Sequence, residues 1–508
     1  MVNSKIKTLD ELQQITADLK SKGKKVVHCH GVFDLLHIGH IKHFEEARSL
    51  GDCLVVTITP DEYVNKGSNR PAFTTALRLE ALAALEVVDF VAANKWPVAV
   101  ETIKVLQPAI YCKGPDYKNH ADDVTGKIDD EEQAVESVGG KICYTEDITF
   151  SSSSLLNKFG DVYNETQKSF IEKILYDQNI DQIKNSIDNF KNLKILVIGE
   201  TIIDQYVFCE ALGKSGKEPV LVLRDLEMEQ YAGGAAAIAR HLSDFCGTIS
   251  LLSMLGEEKE YEDFVLEDLP DNIEPYFIFK EGSPTITKKR YVDNLSKSKS
   301  LGVYSINDSQ INGENQNQLH AYLENLIPKH DLVIISDYGH GFITKNTAAR
   351  ISKQSIFTSL NAQINAAKIG YHTMNNYRGI DFAIINETEL RHELRDREGS
   401  VKNLMKQLAK NLQAKNLVVT QGSNGATLYA SKNDTYHNCP AFAAKILDKI
   451  GAGDAMLALV SCSLKNGLDA NLSLFIGSLA AAQSVESIGN STPVNKLQLL
   501  KTFSHAVK

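Results

Sequence analysis

His28-Cys29-His30-Gly31-Val32-Phe33-Asp34-Leu35-Leu36-His37-Ile38-Gly39-His40 (HCHGVFDLLHIGH) decides how the first part of the chain folds. Lys25–His30 (KVVHCH) has the short apolar run of a buried strand, and His40–Leu50 (HIKHFEEARSL) has the spacing of an amphipathic helix. Gly31 permits a tight turn and close backbone approach. Strand, turn and helix in this order put His37 and His40 one turn apart at a helix start. Free N–H groups and the helix dipole attract phosphate there. Two other readings stand beside this one. A zinc cluster needs ligands converging from one side, whereas a strand turns His28 and His30 one way and Cys29 the other. Buried, hydrogen-bonded histidines fit His28 better than the His37/His40 pair. Asp34 serves equally well as a cap of the turn or as a functional carboxylate.

The same alternation continues outward. Cys53–Ile58, Phe90–Ala93, Ala109–Lys113 and Lys141–Tyr144 read as strands, with a helix over Thr75–Glu86. From about Gly160 to Asn192 the chain is polar, with sparse apolar residues at helical spacing, and reads as one or two connecting helices rather than a core. A second α/β pattern starts at Lys194–Gly199 (KILVIG). Strands are expected at Val220–Leu223, Thr285–Val292, Leu332–Ser336, Phe382–Ile385 and Leu417–Thr420. We expect an α/β protein of two domains, 1–158 and 192–508, joined by a helical linker, 159–191. Length agrees, since 508 residues exceed the roughly 100–200 of one ordinary domain.

Charge and cysteine content narrow the function. A net charge of −10 argues against a general nucleic-acid or membrane-surface binder. The eight cysteines are scattered without a CxxC, as in a protein with reduced thiols. MVNSKIKTLDELQQ has no apolar signal core, and no apolar run approaches the ~18 residues of a membrane span. We therefore expect a cytoplasmic protein, in which local basic sites could still hold small anionic substrates.

A second motif carries chemistry. Asp448-Lys449-Ile450-Gly451-Ala452-Gly453-Asp454 opens a helix. Its glycines leave N–H groups free to hold an anion, and Asp454 just beyond can take a proton from a hydroxyl beside a bound phosphate. An ordinary glycine-rich helix start explains the seven residues alone equally well.

Further pieces in order turn both motifs into resemblances. Over about residues 24–158 the chain resembles the H-x-G-H nucleotidyltransferases of the cytidylyltransferase-like group. Gly31-Val32-Phe33-Asp34 with His37-x-Gly39-His40 matches their first motif. Lys66–Pro71 with Arg78 matches the nucleotide-loop region. Lys113-Gly114-Pro115-Asp116-Tyr117 matches the K-G-x-D-Y loop, and Phe150–Leu156 the Ser/Thr-rich helix start. The resemblance implies a Rossmann-like fold and attack of a sugar-phosphate oxygen on the α-phosphorus of ATP or CTP. His37 and His40 would lie at the triphosphate. Gly31, Phe33, Gly39, Arg78, Ser152 and Ser153 would be nucleotide or phosphate contacts, with Mg²⁺ assisting.

Over about residues 193–500 the chain resembles the ribokinase-like (PfkB) sugar kinases. The resemblance rests on Gly233-Gly234-Ala235-Ala236, Asn386-Glu387-Thr388-Glu389, Thr420-Gln421-Gly422-Ser423-Asn424-Gly425 and the Asp454 motif. It implies Asp454 as base and Gly451, Ala452 and Gly453 as stabilisers of the transferring phosphoryl group. Asn386 and Glu389 would organise Mg²⁺ through water, and Thr420 and Gly422 would lie against ATP. Asp204, Gly233 and Gly234 would sit at the sugar. Lys449 stands where the family has Thr, and Ala237 where it has an Asn that often contacts the sugar, so the acceptor is left open. The family's small β lid, here about Glu218–Glu229, implies a homodimer.

Asp204-Gln205-Tyr206, Pro284–Lys288 and Ser336–Gly341 resemble the heptose 7-phosphate kinases, which occur fused to an H-x-G-H adenylyltransferase. The order of the halves is reversed here. The expectation is a bifunctional sugar-activating enzyme of nucleotide-sugar synthesis for lipopolysaccharide or another glycoconjugate. A phosphatase would act between its two steps. Two alternatives are a CTP-dependent enzyme making a CDP-activated polyol or sugar acid, and a chain in which one half is a non-catalytic sensor or assembly module.

Overall fold

Val26, Val27, His28 and Cys29 are buried in succession, as expected of a parallel strand covered on both faces. They belong to β1 (Val26–Gly31), followed by β2 (Cys53–Ile58), β3 (Phe90–Ala93), β4 (Ile110–Lys113) and β5 (Lys141–Tyr144). The computed structural model describes residues 2–64, 71–114, 128–145, 163–177, 179–363 and 372–507. Among these, contacts divide the chain into two units, residues 1–162 with 501–506, and residues 163–500. In the first, the five strands run parallel in the order β3-β2-β1-β4-β5. The order reverses at β1, and a parallel sheet opens a crevice at the carboxyl ends of its strands at such a point. The turn that leaves β1 for helix Ile38–Ser49 lies there. The helix expected over Thr75–Glu86 ends at Ala83.

The second unit is built on β6 (Lys194–Lys214), a 21-residue strand. Its first part pairs in parallel with β8 (Thr248–Gly256) and β12 (Leu332–Asp337). Beyond β8 lies β9 (Ile273–Lys280); beyond β12 follow β13 (Phe357–Ala362), β14 (Phe382–Asn386) and β15 (Asn416–Thr420), all parallel. Two antiparallel strands, β16 (Ala426–Ala430) and β17 (Thr435–Cys439), close that edge. The later part of β6 leaves this core and pairs with β7 (Leu221–Gly234) and β10 (Thr287–Asp293), and β10 pairs with β11 (Lys299–Ser305). The sequence suggests only Lys194–Gly199 as strand. The extension exists because β7 and β10 supply its hydrogen bonds. This smaller sheet exposes Leu221, Met228 and Leu301.

The segment expected as a linker is helical, with helices Glu165–Asp177 and Ile180–Asp188. It is not merely connecting. Phe170, Ile171, Ile174, Ile183, Ile187 and Phe190 are buried, and residues 163–500 belong to the second unit.

Candidate functional sites

His37 is the N-cap of helix Ile38–Ser49, and its Nδ1 accepts the N–H of Gly39 at 3.1 Å. His40 stacks on it, with ring centroids 3.9 Å apart. Burial holds the His37 imidazole below its ordinary pKa. A neutral ring whose Nδ1 accepts must carry its proton on Nε2. That buried Nε2–H has no hydrogen-bond partner among the described residues. An orphaned donor at a helix N-terminus suits an anionic oxygen.

The neighbours of this pair divide by role. Phe33 takes a left-handed φ of 48°, and its ring is wedged edge-on between His40 and Phe44. A Cβ on Gly31 would lie 2.9 Å from the Phe33 ring, so the glycine is needed to seat it. Asp34 is buried and accepts the N–H of Phe73 at 3.0 Å, a structural use of its Oδ1. His28 and His30 both bond Thr57 Oγ1, at 2.8 Å each. Burial and nearby Lys113 push His28 down to about 3. Both are strand histidines tied to Thr57, although the buried His28 Nδ1 has no hydrogen-bond partner among the described residues.

Arg78 corrects an expectation. Its side chain is fully buried and all five N–H donors are engaged. Nε donates to the Phe73 carbonyl (3.0 Å), Nη1 to those of Val32 (2.7 Å) and Thr59 (2.9 Å), and Nη2 to Asp61 Oδ1 (2.6 Å) and Thr75 Oγ1 (3.2 Å). It clamps the loops around the crevice and has no donor left for a phosphate. Lys113, which opens the K-G-x-D-Y match, is paired with Glu131 at 2.7 Å. Ser152, Ser153, Lys66–Arg70 and Pro115–Tyr117 lie outside the described residues. A metal-capable group does form, but not from the histidines singled out above. Cys29, His43 and Cys112 bring ligand atoms within 4.8 Å of one another. Burial raises the Cys29 thiol and lowers His43 to about 4, as in a core cluster of neutral groups.

In the second unit a cavity of about 1150 Å³ is lined by Asp204, Gly234, Asn386, Glu389, Thr420, Gly422, Gly451, Ala452, Gly453 and Asp454. It exceeds the roughly 300–1,000 Å³ of a pocket for one small ligand. Asp454 lies in the first turn of helix Ala452–Lys465, whose N-cap Gly451 has φ 91°. A Cβ there would meet Asn490 Oδ1 at 2.1 Å. Burial pushes the Asp454 carboxyl up to about 7, against the opposing effect of a hydrogen bond from Tyr338 Oη at 2.9 Å. Such a carboxylate is poised to exchange a proton near neutrality.

Asp204 is buried and paired with Arg290. A Cβ on Gly233 would lie 2.3 Å from Asp204 Oδ2, and one on Gly234 2.3 Å from the Glu200 carbonyl. Both glycines are therefore required by close approach. Asn386 and Glu389 form a capping box at helix Glu387–Leu394: Asn386 Oδ1 accepts the Glu389 N–H at 2.8 Å, and Glu389 Oε2 the Asn386 N–H at 3.2 Å. Oxygen donors on the cavity wall fit Mg²⁺ held through water, since Mg²⁺ prefers oxygens and keeps much of its hydration. Asp448 holds Tyr206 (2.7 Å) and Lys299 (2.6 Å), while Lys449 stays exposed on the wall.

Sequence reasoning passed over the cations of this cavity. Lys288 and Arg290 alternate on β10 and both line it; period-2 spacing of basic residues was the available signal. It also missed Glu200. This buried carboxylate accepts the N–H groups of Tyr338 (2.9 Å) and His340 (3.0 Å), fixing the loop that brings Tyr338 to Asp454.

Each half of the chain matches a known family. Residues 28–159 match the cytidylyltransferase-like family, and residues 192–497 match the pfkB family carbohydrate kinases. The chain is similar to proteins named bifunctional protein HldE. The Aliarcobacter butzleri protein is 42% identical over 142 residues, 27% of this chain and 29% of that one. The Haemophilus influenzae protein is 28% identical over 306 residues, 60% and 62% of the two chains. Each alignment spans less than two thirds of the relative's length. The fold of Escherichia coli phosphofructokinase-2, solved in complex with substrates and products, matches with a TM-score of 0.50 and 17% identity, covering 62% of this chain and all of that one. Among the described residues, no helix is long and apolar enough to cross a membrane. With its kinase match covering more than half of the sequence, the chain belongs to the pfkB family of carbohydrate kinases.

Proposed function

We propose that this chain is a bifunctional sugar-activating enzyme. In the second unit a hydroxyl of a sugar phosphate attacks the γ-phosphorus of ATP. Asp454 takes the hydroxyl proton, the new P–O bond forms as the bond to the β-phosphate oxygen breaks, and ADP leaves. The N–H groups of the Gly451–Gly453 turn hold the transferring phosphoryl group, while Asp204 orients the acceptor hydroxyls. Mg²⁺ on Asn386 and Glu389 would offset phosphate charge when bound. Thr420 and Gly422 lie on the nucleotide side. The observation that carries this reading is Asp454, ionising near neutrality at the start of helix Ala452–Lys465, in one cavity with Asp204, Lys288 and Arg290.

In the first unit a sugar 1-phosphate oxygen attacks the α-phosphorus of ATP or CTP, and pyrophosphate leaves. The orphaned His37 Nε2–H and the stacked His40 hold phosphate oxygens beside Gly39 at the helix start. Heptose 7-phosphate is the acceptor we favour for the kinase, on the three segments that resemble heptose 7-phosphate kinases and on the two cations of the cavity. An ADP-heptose-like nucleotide sugar is the corresponding product. We place the enzyme in the cytoplasm as a dimer joined through the exposed sheet of β7 and β11.

Incubation with ATP and heptose 7-phosphate, and separately with a sugar 1-phosphate and each NTP, tests this. ADP and pyrophosphate are followed independently. Asp454→Asn should abolish only ADP formation, and His37→Ala only pyrophosphate release. A wild-type chain that forms neither product refutes the proposal, and an unaffected variant refutes that site.

A further inference from the structure

The kinase family match begins at residue 192, yet Asn164 and Gln167 line the cavity that holds Asp454. Both stand at the start of helix Glu165–Asp177, in the stretch whose sequence reads as a linker. A reciprocal capping box fixes them: Asn164 Oδ1 accepts the Gln167 N–H at 3.0 Å, and Gln167 Oε1 the Asn164 N–H at 2.8 Å. With Oε1 so held, Gln167 Nε2 donates to the Ala441 carbonyl at 2.7 Å. Ala441 in turn backs the proposed nucleotide loop, because a Cβ on Gly425 would lie 2.8 Å from Ala441 N. One carboxamide thus ties this helix to the loop that follows β17 and, through it, to Gly425.

Four rings anchor the arrangement. Phe442 lies 5.0 Å from Phe475, 5.9 Å from Tyr163 and 6.3 Å from Phe170, and Phe170 meets Phe475 edge-on at 5.9 Å. Phe442 is buried yet reaches the cavity wall. The acceptor side of the cavity is ionic, with Asp204, Lys288 and Arg290. The Asn164–Gln167–Phe442 side offers the carboxamide N–H groups left over from the capping box and the Ala441 bond, beside an aromatic ring, the chemistry that holds a flat, uncharged heterocycle with acceptor edges.

We infer that helix Glu165–Asp177 is a wall of the nucleotide site, with Asn164 and Gln167 as positioning residues for the base of ATP. This rests on the kinase reading of the cavity. The connecting segment is then a working part of phosphoryl transfer, and the functional kinase begins some thirty residues before its family boundary.

Calorimetric titration of the full-length chain with ADP and with inorganic tripolyphosphate separates base from phosphate binding. Gln167→Ala should weaken ADP by about tenfold, equivalent to ~1.4 kcal/mol. Tripolyphosphate affinity and the acceptor KM should stay as in the wild type, and the KM for ATP should rise more than kcat falls. Gln167→Glu, which loses the donor to Ala441, should behave alike. Asn164→Ala, at an exposed position that leaves the ring cluster intact, should act in the same direction. Unchanged ADP affinity in all three variants overturns the inference. So does an equal loss of ADP and tripolyphosphate with a lowered melting temperature, the signature of a purely structural helix. A wild-type chain that binds no ADP refutes the kinase reading itself; one that binds it while the variants do so equally refutes only the wall.

Discussion

Tyr338→Phe removes one hydroxyl, and its effect should appear as a displaced pH profile. The phenol donates to Asp454 Oδ1 at 2.9 Å and stabilises the carboxylate. A hydrogen bond to a charged group contributes about 1.5–3 kcal/mol, and 1.36 kcal/mol corresponds to one pKa unit, so the carboxyl should rise by roughly one to two units. The starting value is about 7, already raised by burial. The sign follows from the role. Asp454 must be ionised to accept a proton, so a higher pKa moves the acid limb of the kinase profile upward. At pH 7 the ionised fraction falls from about one half to about one tenth or one hundredth, a loss of roughly 5- to 50-fold in kcat/KM. Above pH 9 most of the rate should return. The assay is ADP formation from pH 5.5 to 9.5 at constant Mg²⁺, so that any effect of the ion on the carboxyl is common to both proteins. An acid limb unmoved in the variant refutes the role of the phenol. A uniform loss at every pH shows that Tyr338 shapes the cavity without tuning the base.

Arg78→Ala should destabilise the first unit. Three carbonyls and Asp61 lose their donor at about 1 kcal/mol or more each, a total of at least ~4 kcal/mol; denaturant unfolding measures it, and a loss confined to NTP affinity would restore Arg78 as a phosphate contact. Gly451→Ala forces a Cβ to 2.1 Å from Asn490 Oδ1 at φ 91°, so ADP formation should collapse while pyrophosphate release persists. Because burial keeps His37 neutral, kcat/KM for nucleotidyl transfer should not fall between pH 6.5 and 8.5; a decline through that window would mean that the imidazolium is the active form.

The two helix starts were legible because their chemistry is local. Gly31, His37 and His40 lie within ten residues, as do Gly451 and Asp454, and the strand–turn–helix pattern around them places side chains without knowledge of distant partners. The capping box of Asn386 and Glu389 is equally local. Arg78 was misread because its type suits a phosphate site. Whether its donors are free depends on carbonyls 19 and 46 residues earlier in the chain. Helix Glu165–Asp177 was misread for a related reason. Its sparse apolar spacing resembles a solvated connector until Phe442 and Phe475 cover Phe170.

By itself, then, the sequence determined the α/β class and marked the two motifs on which the proposed reactions rest, since helix starts, glycines and strand periodicity act over a few residues. The tertiary structure decided which polar groups remain unspent. Long-range hydrogen bonds consumed the donors of Arg78, and burial left His37 Nε2 without a partner among the described residues and raised Asp454 to the pH at which a base can work. The physical reason is that a donor's availability and a carboxyl's pKa are set by desolvation and by partners from distant segments, which residue spacing does not encode.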